Sequence, residues 1–144
     1  MDNDRIVVTE LMASGAGGGA QVHVQSLVEN LDPARFDVNV ISLSDGPAVR
    51  RIRNAGHCVH VIDVTDDDLA LEAVLALLRV RPPDVLHNHM YRAEVVGTRA
   101  ALALAEEGLP KPFVVGTVHS SRVRSEEDKA LLRWLTPSMD RLIA

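Results

Sequence analysis

The 144-residue sequence predicts an α/β fold in which a Rossmann-like, doubly wound parallel sheet carries helices on both faces. Two observations support this prediction. Short runs of β-branched residues alternate with helical patterns along the whole chain, as in successive strand–helix–strand units. The fifth predicted strand, residues 113–118, is nearly all apolar, which is typical of a parallel strand that is covered on both sides. The length favours one domain that spans residues 1–144.

The strands are predicted from runs of apolar and β-branched residues that turn-forming residues bound. In chain order they span residues 6–9, 36–43, 59–62, 84–87, 113–118 and 141–144. Because a helical pattern separates each run from the next, the strands are expected to be parallel, and right-handed crossovers then place helices on both faces.

The helices are predicted from apolar periodicity and from the residues that start and stop them. In chain order they begin after the glycine run at 15–19, at Pro47, at Thr65, at Ala93 and at Ser125. They are stopped by Asp32-Pro33, Gly56, Pro82-Pro83, Gly108 and Pro137. Thr65 and Asp68 have the spacing of a capping box. Ser125 and Asp128 repeat that spacing before the last helix.

Composition excludes several classes of protein. Hydrophobic residues make up 47% of the chain and charged residues 24%, which is not the balance of a disordered chain. The single cysteine, Cys58, excludes a disulfide scaffold, and the net charge of −5 argues against a nucleic-acid surface. No apolar run has the length of a membrane span, and the acidic start is not typical of a signal peptide. We therefore expect the protein in the cytoplasm.

The first candidate site is the loop Gly15-Ala16-Gly17-Gly18-Gly19-Ala20. Ligands of open α/β sheets bind at the carboxyl ends of strands, and glycines before a helix let phosphate approach the backbone. The loop also fits the dinucleotide fingerprint G-x-G-x-x-A, so an NAD(P)-binding oxidoreductase domain is an alternative. Two details count against it, because residues 11–14 separate the strand from the first glycine and Asp45 comes late.

The loops after the fourth and fifth strands supply further candidates. His87 and His89 point to one face of a strand, but no Cys, Asp or Glu stands beside them, so no metal site is expected. His89, Tyr91 and Arg92 could face a hydroxylated or anionic ligand, and His119 ends a buried strand from which it could reach one. We interpret the remaining histidines and the cysteine as structural: His23, His57, His60 and Cys58.

Read together, these loops resemble those of the N-terminal domain of family 4 retaining glycosyltransferases of the GT-B fold. The resemblance covers nearly the whole chain. Its carriers are Gly18-Gly19-Ala20-Gln21, the run from Asp84 to Ala93, the run from Val115 to Ser120, and the run from Asp140 to Ala144. Each motif is weak by itself, but four of them in order at strand ends form a specific pattern.

The resemblance implies two Rossmann-like domains that face each other across a cleft, this chain being the acceptor-side one. It assigns the donor phosphates to Gly18, Gly19 and Ala20, catalysis to His119, and acceptor binding to His89, Tyr91, Arg92 and Ser120. It also implies a nucleotide-sugar donor, an acceptor that is a sugar, a lipid-linked sugar or a small metabolite, and neither cofactor nor metal. Retention by front-face attack needs no protein nucleophile, which agrees with the lack of a nucleophile motif.

The family engages its donor with two glutamates eight positions apart, and no glutamate here has such a partner. In the family that pair lies in a C-terminal domain, which this chain lacks. We expect the chain to be the front piece of a longer polypeptide and the 144 residues alone to be inactive. The other alternative is a non-catalytic subunit of a split glycosyltransferase. Arg122, Arg124 and Arg133 could contact the inner face of a membrane.

Overall fold

The computed structural model describes residues 4–119 and 125–143. Within these residues the strands are β1 (Ile6–Met12), β2 (Phe36–Ser42), β3 (Val59–Val61), β4 (Val85–His89), β5 (Phe113–Thr117) and β6 (Arg141–Ile143). The helices are α1 (Gly19–Asn30), α2 (Pro47–Asn54), α3 (Asp67–Val80), α4 (Tyr91–Glu106) and α5 (Glu126–Leu135), and a 3-10 turn follows at Thr136–Ser138. The predicted α/β alternation is confirmed.

The strands form one sheet in the order β3-β2-β1-β4-β5-β6, and every neighbouring pair is parallel. The chain adds strands on one side of β1, then crosses to the other side at β4. The carboxyl ends of β1 and β4 therefore form the topological switch point, where open α/β sheets bind ligands. The register places Glu10 of β1 opposite His87 of β4, and His89 opposite Thr117 of β5.

Two apolar clusters cover the two faces of the sheet, because neighbouring residues on a strand point in opposite directions. Leu11 is fully buried against residues of α3 and α4, such as Leu78 and Val96. Met12, the next residue of β1, is fully buried against α1 and α2 through Val24 and Ile52. Helices on both faces hold β1 in the centre of the domain. No helix in the described part of the chain combines the length and apolarity needed to cross a membrane.

Several boundaries differ from the prediction: β4 ends at His89 rather than at residue 87, α4 begins at Tyr91 rather than at Ala93, and two further differences have a clear physical reason. β1 continues to Met12 rather than ending at Thr9, since Leu11 and Met12 are fully buried and pair with β2 and β4. Asp66, not Thr65, caps α3, and its carboxylate accepts a hydrogen bond from the Leu69 N–H at 2.9 Å. A carboxylate is the better cap here because its negative charge also interacts favourably with the positive end of the helix dipole.

The predicted cap at Ser125 and the predicted glycines at two helix ends are confirmed. The Ser125 hydroxyl caps α5 by accepting from the Asp128 N–H at 3.1 Å. Gly56 and Gly108 follow the ends of α2 and α4 with φ values of 93° and 76°. These are left-handed conformations that glycine adopts at little cost, as predicted for residues that end helices.

Candidate active site

The glycine loop has a packed part and an open part. Gly15 is buried, and a Cβ atom there would lie 2.6 Å from the carbonyl oxygen of Ser44. A Cβ atom at Gly46 would lie 2.5 Å from the carbonyl carbon of Gly15. The Gly15 carbonyl also accepts from the Ala48 N–H at 2.9 Å. Gly15 and Gly46 therefore join the loop after β1 to the loop after β2, backbone against backbone.

The open part precedes and begins α1. Among the described residues, no atom lies within 4 Å of a Cβ atom built at Gly17 or Gly19, and Gly18 meets only the Gln21 side chain within that distance. Gly18 is the N-cap, and no side chain caps the helix or places an acidic group in its first turn. The first N–H groups of an α-helix have no partner inside the helix and attract anions. This backbone is therefore open to an anionic ligand, while the Ala20 side chain is buried behind it.

A buried carboxylate joins the two strand histidines at the switch point. The Glu10 side chain is 2% exposed, and one carboxylate oxygen, Oε2, accepts from His87 Nδ1 at 2.9 Å and from His89 Nε2 at 2.6 Å. Glu10 and His87 are register partners across β1 and β4. The predicted common face of His87 and His89 is confirmed, and it is the face on which Glu10 also lies.

Two further polar side chains extend this arrangement along β5. Thr117 Oγ1 lies 2.5 Å from His87 Nε2. His119 Nε2 lies 2.9 Å from His89 Nδ1. We refer to Glu10, His87, His89 and His119 as the Glu–His cluster. It runs from the buried interior of β1 outwards to the partly exposed His119 beyond the end of β5.

Burial and hydrogen bonding set the charges of the cluster. Burial by itself would raise the pKa of Glu10, but the hydrogen bonds from His87 and His89 outweigh it and lower that pKa. Burial lowers the pKa of His89 against the opposing pull of Glu10. Burial also lowers the pKa of His119, and His89 acts in the same direction. At neutral pH, Glu10 is therefore an anion, whereas His89 and His119 are neutral.

Glu10, His87 and His89 are the residues that could hold a metal ion. Among the described residues they form the one group whose ligand atoms all lie within 4.8 Å of one another. Their spacing also matches protonated imidazole nitrogens that donate to one carboxylate, since both N–O distances fall in the hydrogen-bond range. The expectation that no metal takes part stays a prediction.

The Arg92 side chain makes its hydrogen bonds to other residues of the domain. Its Nε donates to Asp67 Oδ1 at 2.8 Å, and its Nη atoms donate to the carbonyl oxygens of Val64 at 2.6 Å and Leu43 at 3.4 Å. One guanidinium thereby connects the start of α4 with the segments that follow β2 and β3. These contacts give Arg92 a bracing role, and its proposed contact with an acceptor stays a prediction.

The other residues assigned to the acceptor lie in different surroundings. His89 has no exposed surface, so it reaches the edge of the sheet through His119. The Tyr91 hydroxyl donates to Asp128 Oδ1 at 3.0 Å and links α4 to α5. Ser120, like Arg122 and Arg124, lies outside the described residues. The acceptor-binding roles of these residues stay predictions.

Sequence reasoning missed Glu10, and it did not place His23 beside the cluster. Glu10 was missed because the first strand was predicted to end at Thr9, which left the glutamate in a loop. The signal was present, since an acid between Thr9 and Leu11 in a run of apolar residues is unusual unless it is paired. His23 was interpreted as structural, but its ring lies 5.2 Å from that of His119 and 5.9 Å from that of His89. It lies on α1, one helical turn after the open glycines.

The sequence profile of the family described as Glycosyltransferase Family 4 matches residues 17–144. This chain belongs to that family. The match contains the open glycines and the three histidines of the Glu–His cluster, whereas Glu10 precedes it. A search of curated proteins by sequence gives no match.

The family 4 chain also resembles solved structures. MurG from Acinetobacter baumannii aligns with a TM-score of 0.68 and 14% identity, over 95% of this chain and 40% of that one. A Listeria monocytogenes protein described as a UDP-N-acetylglucosamine 2-epimerase aligns with a TM-score of 0.68 and 11% identity, over 96% and 38%. A further UDP-N-acetylglucosamine 2-epimerase gives 0.69 and 12%, over 97% and 42%.

At these identities the likeness shows the fold alone, a Rossmann-like domain of the GT-B type. The chain spans about two fifths of the length of each of these structures. The family and the fold together make it a glycosyltransferase N-terminal domain.

Proposed function

We propose that this domain is the acceptor-side half of a glycosyltransferase that moves a sugar from a nucleotide-sugar donor to an acceptor hydroxyl with retention. The observation that carries the proposal is that the open start of α1 and His119 share one edge of the sheet. His23 lies in the second turn of α1, and its ring is 5.2 Å from that of His119. On this proposal, a phosphate at the helix start and a sugar beside His119 belong to one ligand.

The start of α1 would bind the donor diphosphate. The backbone of Gly18 and Gly19 is open, and no acidic residue in the first turn would repel an anion. The positive end of the helix dipole and its unpartnered N–H groups favour the charge that develops on a leaving diphosphate. Gly18, Gly19 and Ala20 therefore keep the donor-phosphate role that the resemblance implies.

His119 would contact the donor sugar near the reacting carbon. Its side chain is partly exposed at the end of β5, and its lowered pKa makes it a neutral hydrogen-bonding group. The carboxylate nearest to it along the cluster, Glu10, is 2% exposed and hydrogen-bonded to two histidines. Glu10 is thus poorly placed to act as a nucleophile, and this supports retention by front-face attack. The protein would act through positioning and electrostatic stabilisation.

The rest of the donor would be bound by a second domain, in the same polypeptide or in a partner subunit. This part of the proposal is supported by the similar structures, since the chain spans only about two fifths of the length of each. Two of those structures carry names that specify a nucleotide sugar, which supports that class of donor. The acceptor remains a sugar, a lipid-linked sugar or a small metabolite, and the enzyme is proposed to act in the cytoplasm without a metal ion.

The test is an assay of the protein that carries this sequence against a panel of sugar nucleotides. We expect one donor to be consumed, and NMR of the product to show the donor's anomeric configuration. His119→Ala should lower kcat about 10²-fold, as expected for a lost transition-state contact. His57→Ala, which changes a histidine away from this edge, is the matched control. Unchanged kcat in His119→Ala would remove the catalytic role.

A titration with NADH tests the alternative that this is an NAD(P)-binding oxidoreductase domain. NADH binding without turnover of any sugar nucleotide would favour the oxidoreductase domain instead. The expected result is no NADH binding, because the family 4 profile covers the glycine loop from residue 17 onwards.

A further inference from the structure

Glu10 of β1, His89 of β4 and His119, which follows β5, form a continuous line of hydrogen-bonding groups. Glu10 Oε2 lies 2.6 Å from His89 Nε2, and His89 Nδ1 lies 2.9 Å from His119 Nε2. Glu10 and His89 are 2% and 0% exposed, so water does not compete for the contact between them. What one end of the line donates or accepts therefore determines what the other end can do.

The donor count along this line assigns the ring nitrogens. An ionised carboxylate only accepts, so His89 Nε2 must carry the proton that points at Glu10. A neutral imidazole has one N–H, so His89 Nδ1 is then an acceptor. His119 Nε2 must therefore carry a proton that it donates to His89. The neutral His119 ring is left with Nδ1 as a lone pair.

We propose that Glu10 is a positioning residue, which through His89 holds His119 as the Nε2–H tautomer with Nδ1 free to accept a hydrogen bond from a sugar hydroxyl. The inference rests on the proposed function in one respect, namely that His119 contacts the donor sugar. It adds a residue that precedes the part of the chain matched by the family profile. It also specifies that His119 accepts from the substrate rather than donates to it.

A second arm of the cluster holds Glu10 in this orientation. Its Oε2 atom also accepts from His87 Nδ1 at 2.9 Å, and His87 Nε2 lies 2.5 Å from Thr117 Oγ1. His87 donates to Glu10 through Nδ1, and the Thr117 hydroxyl holds the other ring nitrogen in place. The carboxylate oxygen is thus fixed from two sides. A buried carboxylate is costly unless it is hydrogen-bonded, so an apolar residue would suit this position better if Glu10 had only to fill space.

The direct test reads the tautomers by long-range nitrogen–proton NMR of the histidine rings. In the unchanged protein at neutral pH, we expect His89 and His119 both as Nε2–H tautomers. An Nδ1–H tautomer of His119 would overturn the proposal at once, whether or not any variant folds.

Glu10→Gln then tests the cause. The glutamine amide keeps the shape, and its oxygen can accept the same two N–H groups, but it is neutral and therefore a weaker acceptor than the carboxylate. The preference of His89 for a proton on Nε2 is thereby weakened. We expect the His119 tautomer to become mixed or to switch. Glu29→Gln, the same change on the exposed face of α1, is the matched control and should leave the spectrum of His119 unchanged. An unaltered His119 tautomer in Glu10→Gln would show that Glu10 does not act on it.

Kinetics of the complete enzyme separate positioning from a structural effect. Glu10→Gln should lower kcat about tenfold, the size of one lost hydrogen bond, with little change in KM for the donor. The double variant Glu10→Gln/His119→Ala should be no slower than His119→Ala alone, since Glu10 acts through His119. Additive losses would refute that path. The expected tautomers without any glycosyl transfer would refute the proposed function and leave the Glu10–His89–His119 connection standing.

Discussion

The open glycines and the Glu–His cluster lie at the same edge of the sheet but present opposite kinds of surface. In the part of the chain that the structure describes, no atom lies within 4 Å of a Cβ built at Gly17 or Gly19, whereas Glu10 and His89 are 2% and 0% exposed. The loop presents accessible backbone, and the cluster presents side chains that the core encloses. The contrast indicates that a substitution in the open loop should affect ligand binding alone, whereas one in the cluster should affect stability and chemistry together.

The largest effect should come from removing the buried carboxylate. Glu10→Leu leaves the ring N–H groups of His87 and His89 without their acceptor inside the protein. The expected loss in the free energy of unfolding is about 3 kcal/mol, the cost of stranding buried polar groups. Urea denaturation measures it. Glu29→Leu, on the exposed face of α1, should stay within about 0.5 kcal/mol of the unchanged protein. Equal losses in both variants would contradict the buried network.

A somewhat smaller effect should separate the packed and open glycines. Gly46→Ala places a methyl group against the backbone carbonyl group of Gly15. Because that carbonyl belongs to a tight loop, it cannot move away easily. The expected loss is about 2 kcal/mol, as for overpacking in a core. Gly19→Ala adds the same methyl group in open space and should leave the unfolding free energy unchanged. Comparable losses for the two variants would mean that the start of α1 is packed in solution.

The third effect should appear in binding rather than in stability. Gly19→Leu places a bulky side chain in front of the open backbone, so a donor diphosphate could no longer approach it. Nucleotide-sugar affinity should fall about tenfold by calorimetry in the complete enzyme, while the thermal midpoint stays the same. Gly19→Ala should weaken binding less than Gly19→Leu. If affinity is the same in all three proteins, the phosphates bind elsewhere.

The smallest effect should be a loss of stability between neutral pH and pH 5 that the two shifted histidines of the cluster produce. The pKa values of His89 and His119 are lowered in the folded protein from an ordinary value of 6.5. Stability should thus be complete above that pH and fall as the pH drops below it, because the unfolded chain binds protons that the folded chain refuses. The lowered pKa of Glu10 removes further stability only below its ordinary value of 4.5.

The groups that face these rings set the size of that change. Glu10 and His87 face His89 from within the sheet, and His23 faces both rings from α1. The buried Glu94 of α4 lies on the far side, near Gly116. Urea titrations at several pH values should show a shallower loss between pH 7 and pH 5 in His89→Gln. An equally steep loss in that variant would place the titrating groups outside the cluster.

Local signals in the sequence predicted the helices and strands well, but they did not predict the contacts of buried polar residues. Pro47, Gly56 and Ser125 act through their own backbone geometry or through a neighbour three residues away, so their roles were readable from sequence. Glu10 was not, because its partners His87 and His89 lie nearly eighty positions further along the chain. The spacing of the two histidines predicted a shared face, but only the parallel register of β1 and β4 shows what occupies that face.

The amino-acid pattern by itself determined the alternation of strands and helices, the helix caps at Ser125, Gly56 and Gly108, and the family resemblance through motifs at strand ends. These depend on local periodicity and on backbone preferences of single residues. Only the tertiary structure decided that Gly15 packs while Gly19 stays open, and that Glu10 lies beneath His89 and His119. Such contacts join residues that are distant in sequence, and strand order and register, rather than local propensity, bring them within hydrogen-bonding distance.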